Sequence, residues 1–200
     1  MTERERNDLI ISWLTVSFAF AWMGTGIFST AGAEEFTRRA IIMLVAVGTG
    51  FILHELAHKY VAINYGAHAE FRAWRNGLLL AIGLAIISAG SFVFAAPGAV
   101  YVFGRSITVK QNGIISLAGP VTNIIIAFIF GMLFVLLSPL GLLKEILISG
   151  MYVNFFLAAF NMIPIFPLDG SKVLTWNAIA WIGTIGLAAL GVIMTMGIYG

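Results

Sequence analysis

The chain of 200 residues contains no cysteine. Disulfides, thiolate metal sites and thiol nucleophiles are therefore excluded, and any metal must be held by His, Asp, Glu or Asn. Charge is almost as scarce: Lys and Arg supply 11 residues and Asp and Glu 9, for a formal net charge of +2. The basic residues are scattered over short segments and form no patch, which excludes nucleic acid as a partner. The sequence also lacks a Pro/Ser-rich linker, an internal repeat, a low-complexity tract and room for a sizeable extramembrane domain. One domain over 1–200 is expected.

What fills the chain is apolar. Hydrophobic residues make up 60% of it and the mean hydropathy is +0.98, values that belong to a polytopic membrane protein with the lipid bilayer as its surroundings. The expected fold class is an all-α polytopic membrane protein with five to six transmembrane helices and a re-entrant or membrane-associated hairpin segment near 78–103. Five runs are long enough to span: about Leu9 to Thr30, Ala40 to Asn64, Gly113 to Leu137, Ile146 to Phe166 and Val173 to Ile198. The first is read as a retained helix, since no small-residue cleavage site of signal-peptide type follows it. A sixth stretch, Leu78 to Phe103, is less regular. Within it Ser91 to Phe103 sets aromatic and β-branched residues on either side of Pro97-Gly98, which reads as a short hairpin.

His54-Glu55-Leu56-Ala57-His58 sits inside the second of these runs. Ionisable groups at membrane depth each cost a few kcal/mol unless partnered, so three of them within five residues need a reason. On a helix, histidines at i and i+4 lie about 40° apart in azimuth and roughly 6 Å apart in rise, so both rings can reach one metal. The glutamate between them is placed to take a proton from water at the open coordination position. A catalytic zinc site wants a third protein ligand. Asp169 is the only acidic residue after Glu145 and follows Pro164 and Pro167, which interrupt helical hydrogen bonding and bend the chain there. Two neutral imidazoles, one carboxylate and a divalent ion with hydroxide form a nearly neutral cluster, which a membrane tolerates. Asn123 reads as an interhelical contact, His68 as a solvated interfacial histidine and Trp74 as an interfacial anchor.

Topology follows from two arguments. Asp169 and the two histidines lie at the C-terminal ends of their runs, which must share a side, so Leu78 to Phe103 should dip in and return. With that segment re-entrant and the N-terminus cytoplasmic, Arg4, Arg6, Lys59, Arg72, Arg75, Arg105, Lys110 and Lys172 lie inside, against Arg38, Arg39 and Lys144 outside. A full span would leave the two sides nearly balanced, so the positive-inside rule favours re-entry and a site near the cytoplasmic face.

The His-Glu-Leu-Ala-His at 54 to 58, the Asn-Met-Ile-Pro-Ile-Phe-Pro-Leu-Asp-Gly at 161 to 170 and the Ala118-Gly119-Pro120 with Asn123 together resemble the site-2 protease family of intramembrane zinc metalloproteases. The resemblance covers about residues 40 to 175, the expected catalytic core. It implies one zinc ion per chain bound by His54, His58 and Asp169, with Glu55 as general base and then general acid. It also implies that Asn161 donates to substrate or oxyanion, and that the substrates are membrane proteins cut in or near their transmembrane segments. The expected location is the cytoplasmic membrane of a prokaryote. Ala57 stands where the family often has Gly, Leu78 to Phe103 is longer than the family core requires, and no PDZ-like insertion is present. A metal transporter or sensor using the same ligands, or an inactive relative that sequesters membrane proteins, are the alternatives. Intact Glu55 argues against the latter.

Overall fold

The computed structural model describes residues 1–23, 30–89, 91, 97–103 and 107–199. Helix α1 (Glu3–Trp22) starts where the Thr2 hydroxyl accepts the Glu5 N–H, and Glu3 and Glu5 in its first turn complement the helix dipole. Next, α2 (Thr30–Val47), a π-helical turn over Gly48–Ile52 and α3 (Leu53–Asn64) run into one another, forming a continuous rod from Gly32 to Asn64. Strand β1 (His68–Ala73) and the short helix α4 (Arg75–Ile87) follow, then strand β2 (Gly98–Phe103).

The C-terminal half is helical. The 29-residue α5 (Val109–Leu137) opens on a capping box in which Thr108 and Gln111 satisfy each other's backbone N–H, and it stops at Ser138, whose φ is +43°. Helix α6 (Gly141–Asn161) ends just before Pro164 and Pro167, and a new helix α7 (Asp169–Trp176) begins at the aspartate. Asn177 leaves the helical conformation and its Oδ1 caps the N–H groups of Ile179 and Ala180, starting α8 (Ala178–Tyr199).

Among the described residues, four helices are long and apolar enough to cross a membrane: Gly32–Asn64, Val109–Leu137, Gly141–Asn161 and Ala178–Ile198. Their outer faces carry uncovered apolar side chains, such as Leu136 at 71% and Ile179 at 83% exposure. Such a surface needs lipid around it, and the chain is a membrane protein. Helix α1 is outside this set because Glu3, Arg4, Glu5, Arg6 and Asp8 crowd its first turns, and the end of the expected Leu9 to Thr30 span falls partly outside the described residues. The bounds of all four spans differ from those expected, and two of the differences bear on the site. Ile146 to Phe166 becomes Gly141–Asn161, so Asp169 opens a new helix instead of closing that one, and Val173 to Ile198 is broken at Asn177.

The expected hairpin about Pro97-Gly98 is described only in its second arm. Residues 92–96 lie outside the described residues, and Gly98–Phe103 pairs antiparallel with His68–Ala73, from His68 opposite Phe103 to Ala73 opposite Gly98. The Trp74 N–H extends the ladder to the Pro97 carbonyl at 2.9 Å. The chain between 74 and 97 therefore returns to the point from which it left. Helix α4 within it has 13 residues, about 20 Å, short of a 30 Å hydrocarbon core. The period-2 alternation of Ala69, Phe71 and Ala73 with His68, Glu70 and Arg72 was the sequence signal for β1. Ala69 and Phe71 are buried against the core.

Two packed clusters hold the site between them. One joins α5, α6 and α8 through Ile124, Ala127, Phe130, Met151, Phe155 and Ala188. The other joins α1, the Gly32–Asn64 rod, β1 and α6 through Leu9, Val16, Phe20, Phe51, Phe71 and Val153. Gly50, in the π-helical turn, lets α6 come close: a Cβ there would lie 2.9 Å from Asn154 Oδ1 and 3.0 Å from Leu157 Cδ1.

Candidate metal centre

One turn of α3 sets the His54 and His58 rings edge to face with centroids 4.6 Å apart. The first residue of α7 brings Asp169 against them. Nε2 of His54 and Nε2 of His58 are 2.9 Å apart, and Asp169 Oδ2 lies 3.3 Å from the first and 3.1 Å from the second. All three residues are buried, and their ligand atoms form the one His/Asp/Glu group among the described residues that could hold a metal ion.

Hydrogen bonding behind the rings decides what their Nε2 atoms can do. Asn123 Nδ2 lies 3.0 Å from the Gly50 carbonyl and 3.0 Å from Asn154 Oδ1. The Gly50 carbonyl only accepts, so this end of the amide is nitrogen and Asn123 Oδ1 faces His54 Nδ1 at 2.5 Å. His58 Nδ1 faces the Ile115 carbonyl at 2.7 Å. Both rings therefore carry their proton on Nδ1 and aim bare Nε2 lone pairs at each other and at a carboxylate oxygen. Three converging acceptors with no donor between them repel unless a cation lies among them. The observed sides of the triangle, 2.9, 3.1 and 3.3 Å, approach the roughly 3.3 Å edge of a tetrahedron with zinc bonds of about 2.0–2.1 Å. The residues fit zinc.

The space is kept by Gly119 on α5. A Cβ at that position would fall 2.5 Å from each Nε2. The π-helical turn contributes through its altered hydrogen bonding, with Gly50 O accepting from Asn123 and Ala46 O from Asn154 Nδ2 at 3.5 Å. Asn154 also donates to Gly150 O at 2.8 Å, so a buried polar chain links α6, α5 and the rod to the His54 ring.

Glu55 lines the same cavity of about 170 Å³ as the three ligand residues. The residue is 8% exposed, and its carboxylate has no hydrogen bond or ion pair among the described residues. Lys172 Nζ lies 3.5 Å from Asp169 Oδ1, the oxygen turned away from the imidazoles. Asn161 also lines the cavity, with its amide donating to Leu157 O at 2.9 Å and one further N–H left to it. Pro97, Gly98, Val100 and Val102 of the sheet form part of the wall.

The structure brings His54, Glu55, His58, Asp169 and Asn161 together and keeps His68 apart, on β1 beside the Phe103 ring. Asn123 has a larger part than an interhelical contact, since it orients His54 directly. Sequence reasoning did not find Asn154, Lys172 or the closeness of Gly119 to the rings. An asparagine in an otherwise apolar helix was the available signal for Asn154.

No family model matches the chain, and no solved structure does. It is similar to "Putative zinc metalloprotease MJ0611" of Methanocaldococcus jannaschii, with 44% identity over 98% of this chain and 95% of that protein. It is 31% identical to "Putative zinc metalloprotease YwhC" of Bacillus subtilis over 66% of this chain and 67% of that one. With "Putative zinc metalloprotease Rip2" of Mycolicibacterium smegmatis it shares 30% identity over 60% of this chain and 48% of the relative. At 44% identity across nearly its whole length, the chain belongs to the zinc metalloprotease family that these relatives represent.

Proposed function

We propose that this protein is an intramembrane zinc endopeptidase of the site-2 protease kind, hydrolysing peptide bonds in transmembrane or membrane-proximal segments of other membrane proteins. The observation that carries this reading is the Glu55 carboxylate. It belongs to a buried residue, has no partner among the described residues, and shares a cavity with three converging metal-ligand atoms inside a bundle of lipid-facing helices. Lewis acidity, with a water pKa lowered to about 7, is the chemistry that zinc supplies when held by His54, His58 and Asp169. Glu55 takes the proton from water as general base and returns it to the leaving amine as general acid. Asn123 and the Ile115 carbonyl hold the imidazoles in the tautomer that presents Nε2, and Lys172 steadies Asp169 by its second oxygen. The remaining N–H of Asn161 is available for the oxyanion.

A helical substrate hides its scissile carbonyl in its own hydrogen bonds and must enter extended. The backbone groups of Val100 and Val102 that point away from β1 are unpaired among the described residues and border the cavity, which suits strand addition. The return of the chain between 74 and 97 to its starting point supports a re-entrant segment, five spans with α1 as the first, and a site near the cytoplasmic face. The test is Glu55→Gln in purified protein presented with a panel of single-span substrates. The variant should keep its zinc and lose turnover by about 10²–10⁴-fold. Cleavage at the wild-type rate would sink the mechanism.

A further inference from the structure

One stripe of α1 is polar where a lipid-facing helix should be apolar. Thr2, Glu5, Asp8 and Ser12 are spaced three to four residues apart and so share a face. Each meets the sheet in order. The Thr2 hydroxyl bonds the Glu70 carboxylate. Glu5 Oε1 accepts the Phe71 N–H at 3.2 Å, Asp8 Oδ2 accepts the Ala73 N–H at 3.2 Å, and Ser12 Oγ donates to the Pro97 carbonyl at 3.3 Å. Glu5 is only 1% exposed, and both its oxygens meet Lys59 Nζ, at 2.6 and 2.5 Å. Lys59 follows the ligand residue His58 directly.

Backbone alternation gives these contacts a shared meaning. N–H groups of Phe71 and Ala73 lie on the edge of β1 that faces away from β2. On that edge, two carboxylates from a helix stand where the carbonyls of a third strand would stand. In β2 the same alternation turns the backbone groups of Gly98, Val100 and Val102 away from β1, towards the cavity. A buried ion pair of this kind contributes little net stability against an apolar replacement, so its value lies in fixing geometry.

We propose that α1 is a positioning clamp for substrate. Glu5 and Asp8 close the outer edge of β1 and Glu5 ties the sheet to α3 through Lys59, which leaves the β2 edge to take an extended peptide and fixes its distance from His58. Glu5, Asp8 and Lys59 are positioning residues that touch no reacting atom. The inference rests on the endopeptidase reading for its substrate, but its physical core, the clamped sheet, can be measured without any turnover.

The experiment uses the full chain in lipid nanodiscs with zinc bound. Two double variants separate the amide bond from the charge pair: Glu5→Gln with Lys59→Met keeps an acceptor for the Phe71 N–H, and Glu5→Leu with Lys59→Met removes it. The Leu form should exchange backbone hydrogens in 68–73 and 98–103 about tenfold or more faster than the Gln form. Exchange in α5 and α6 and the zinc content should stay unchanged. Towards a single-span substrate, KM should rise about tenfold in the Leu form with little change in kcat, and the Gln form should recover most of it. Asp8→Ala, a milder change at the half-buried end of the clamp, should move both readouts in the same direction. Equal exchange in the Gln and Leu forms would overturn the clamp, and so would a loosened sheet with unaltered KM. A wild-type protein that cleaves no substrate would refute the endopeptidase reading alone, and hydrogen exchange then decides the clamp by itself.

Discussion

Gly119→Ala should abolish tight zinc binding although it adds one methyl group to a helix that tolerates alanine well. The new Cβ would lie 2.5 Å from His54 Nε2, 2.5 Å from His58 Nε2 and 2.6 Å from His54 Cε1, where real Cβ contacts essentially never fall below 3.0 Å. Either both rings or the α5 backbone must give by at least about 0.5 Å. Metal–ligand distances tolerate only about ±0.2 Å. The rings cannot simply swing, because their Nδ1 atoms are held by Asn123 and the Ile115 carbonyl. Moving α5 would shift those two partners together with the methyl. A loss of about 10²-fold or more in zinc affinity is expected, at or beyond the upper end of what disturbing the orientation of metal ligands costs, because two ligand atoms are displaced at once. The assay is competition with a calibrated chelator on purified protein, with zinc stoichiometry by elemental analysis. Gly131→Ala is the control: it lies on the same helix and its Cβ would meet only the flexible Met151 sulfur, at 3.0 Å. Wild-type zinc affinity in a monodisperse Gly119→Ala protein would refute the reasoning.

Asn123→Ala should weaken zinc by about 10–100-fold in the same chelator assay by freeing the His54 ring, while the fold and the Glu55 carboxylate remain in place. Burial would raise the Glu5 carboxyl pKa, but the Lys59 ammonium and the Phe71 N–H outweigh it and hold the carboxyl below its ordinary range. A depressed native pKa contributes stability that is present above the unfolded value and lost as pH falls through the native one. The difference in thermal stability between wild type and Glu5→Gln should therefore be constant above about pH 5 and shrink below about pH 4. Single cysteines are easy to place in a chain that has none. Introduced at the exposed positions Asn76 and Lys110 they should react with an impermeant thiol reagent from one face of the membrane, and at Glu34 from the other. Reaction of 76 and 110 from opposite faces would mean that the intervening segment spans.

Much of the site was legible because its signals are local. Two histidines one helical turn apart need only a helix to converge, and an apolar run of 20 residues has the length of a bilayer whatever surrounds it. The pairing of β2 with β1 was not legible because a turn dipeptide points only to its own neighbours, whereas β1 lies about thirty residues earlier. The break at Asn177 was missed because the flanking residues are uniformly apolar and only the side-chain cap divides them. Asn154 and Gly119 were invisible as partners of the site because their roles depend on which helices touch.

The sequence by itself determined that the chain lives in lipid, that its metal chemistry must use nitrogen and oxygen ligands, and that His54, Glu55 and His58 face one way. These follow from composition and from the 3.6-residue period, properties that a segment carries alone. The tertiary structure decided that Asp169 reaches the same point from a separate helix and that Asn123 and the Ile115 carbonyl turn both free nitrogens inward. It also decided that α1 closes one edge of the sheet beside the site. Each of these depends on the relative placement of helices distant in sequence, which close packing sets and no single segment contains.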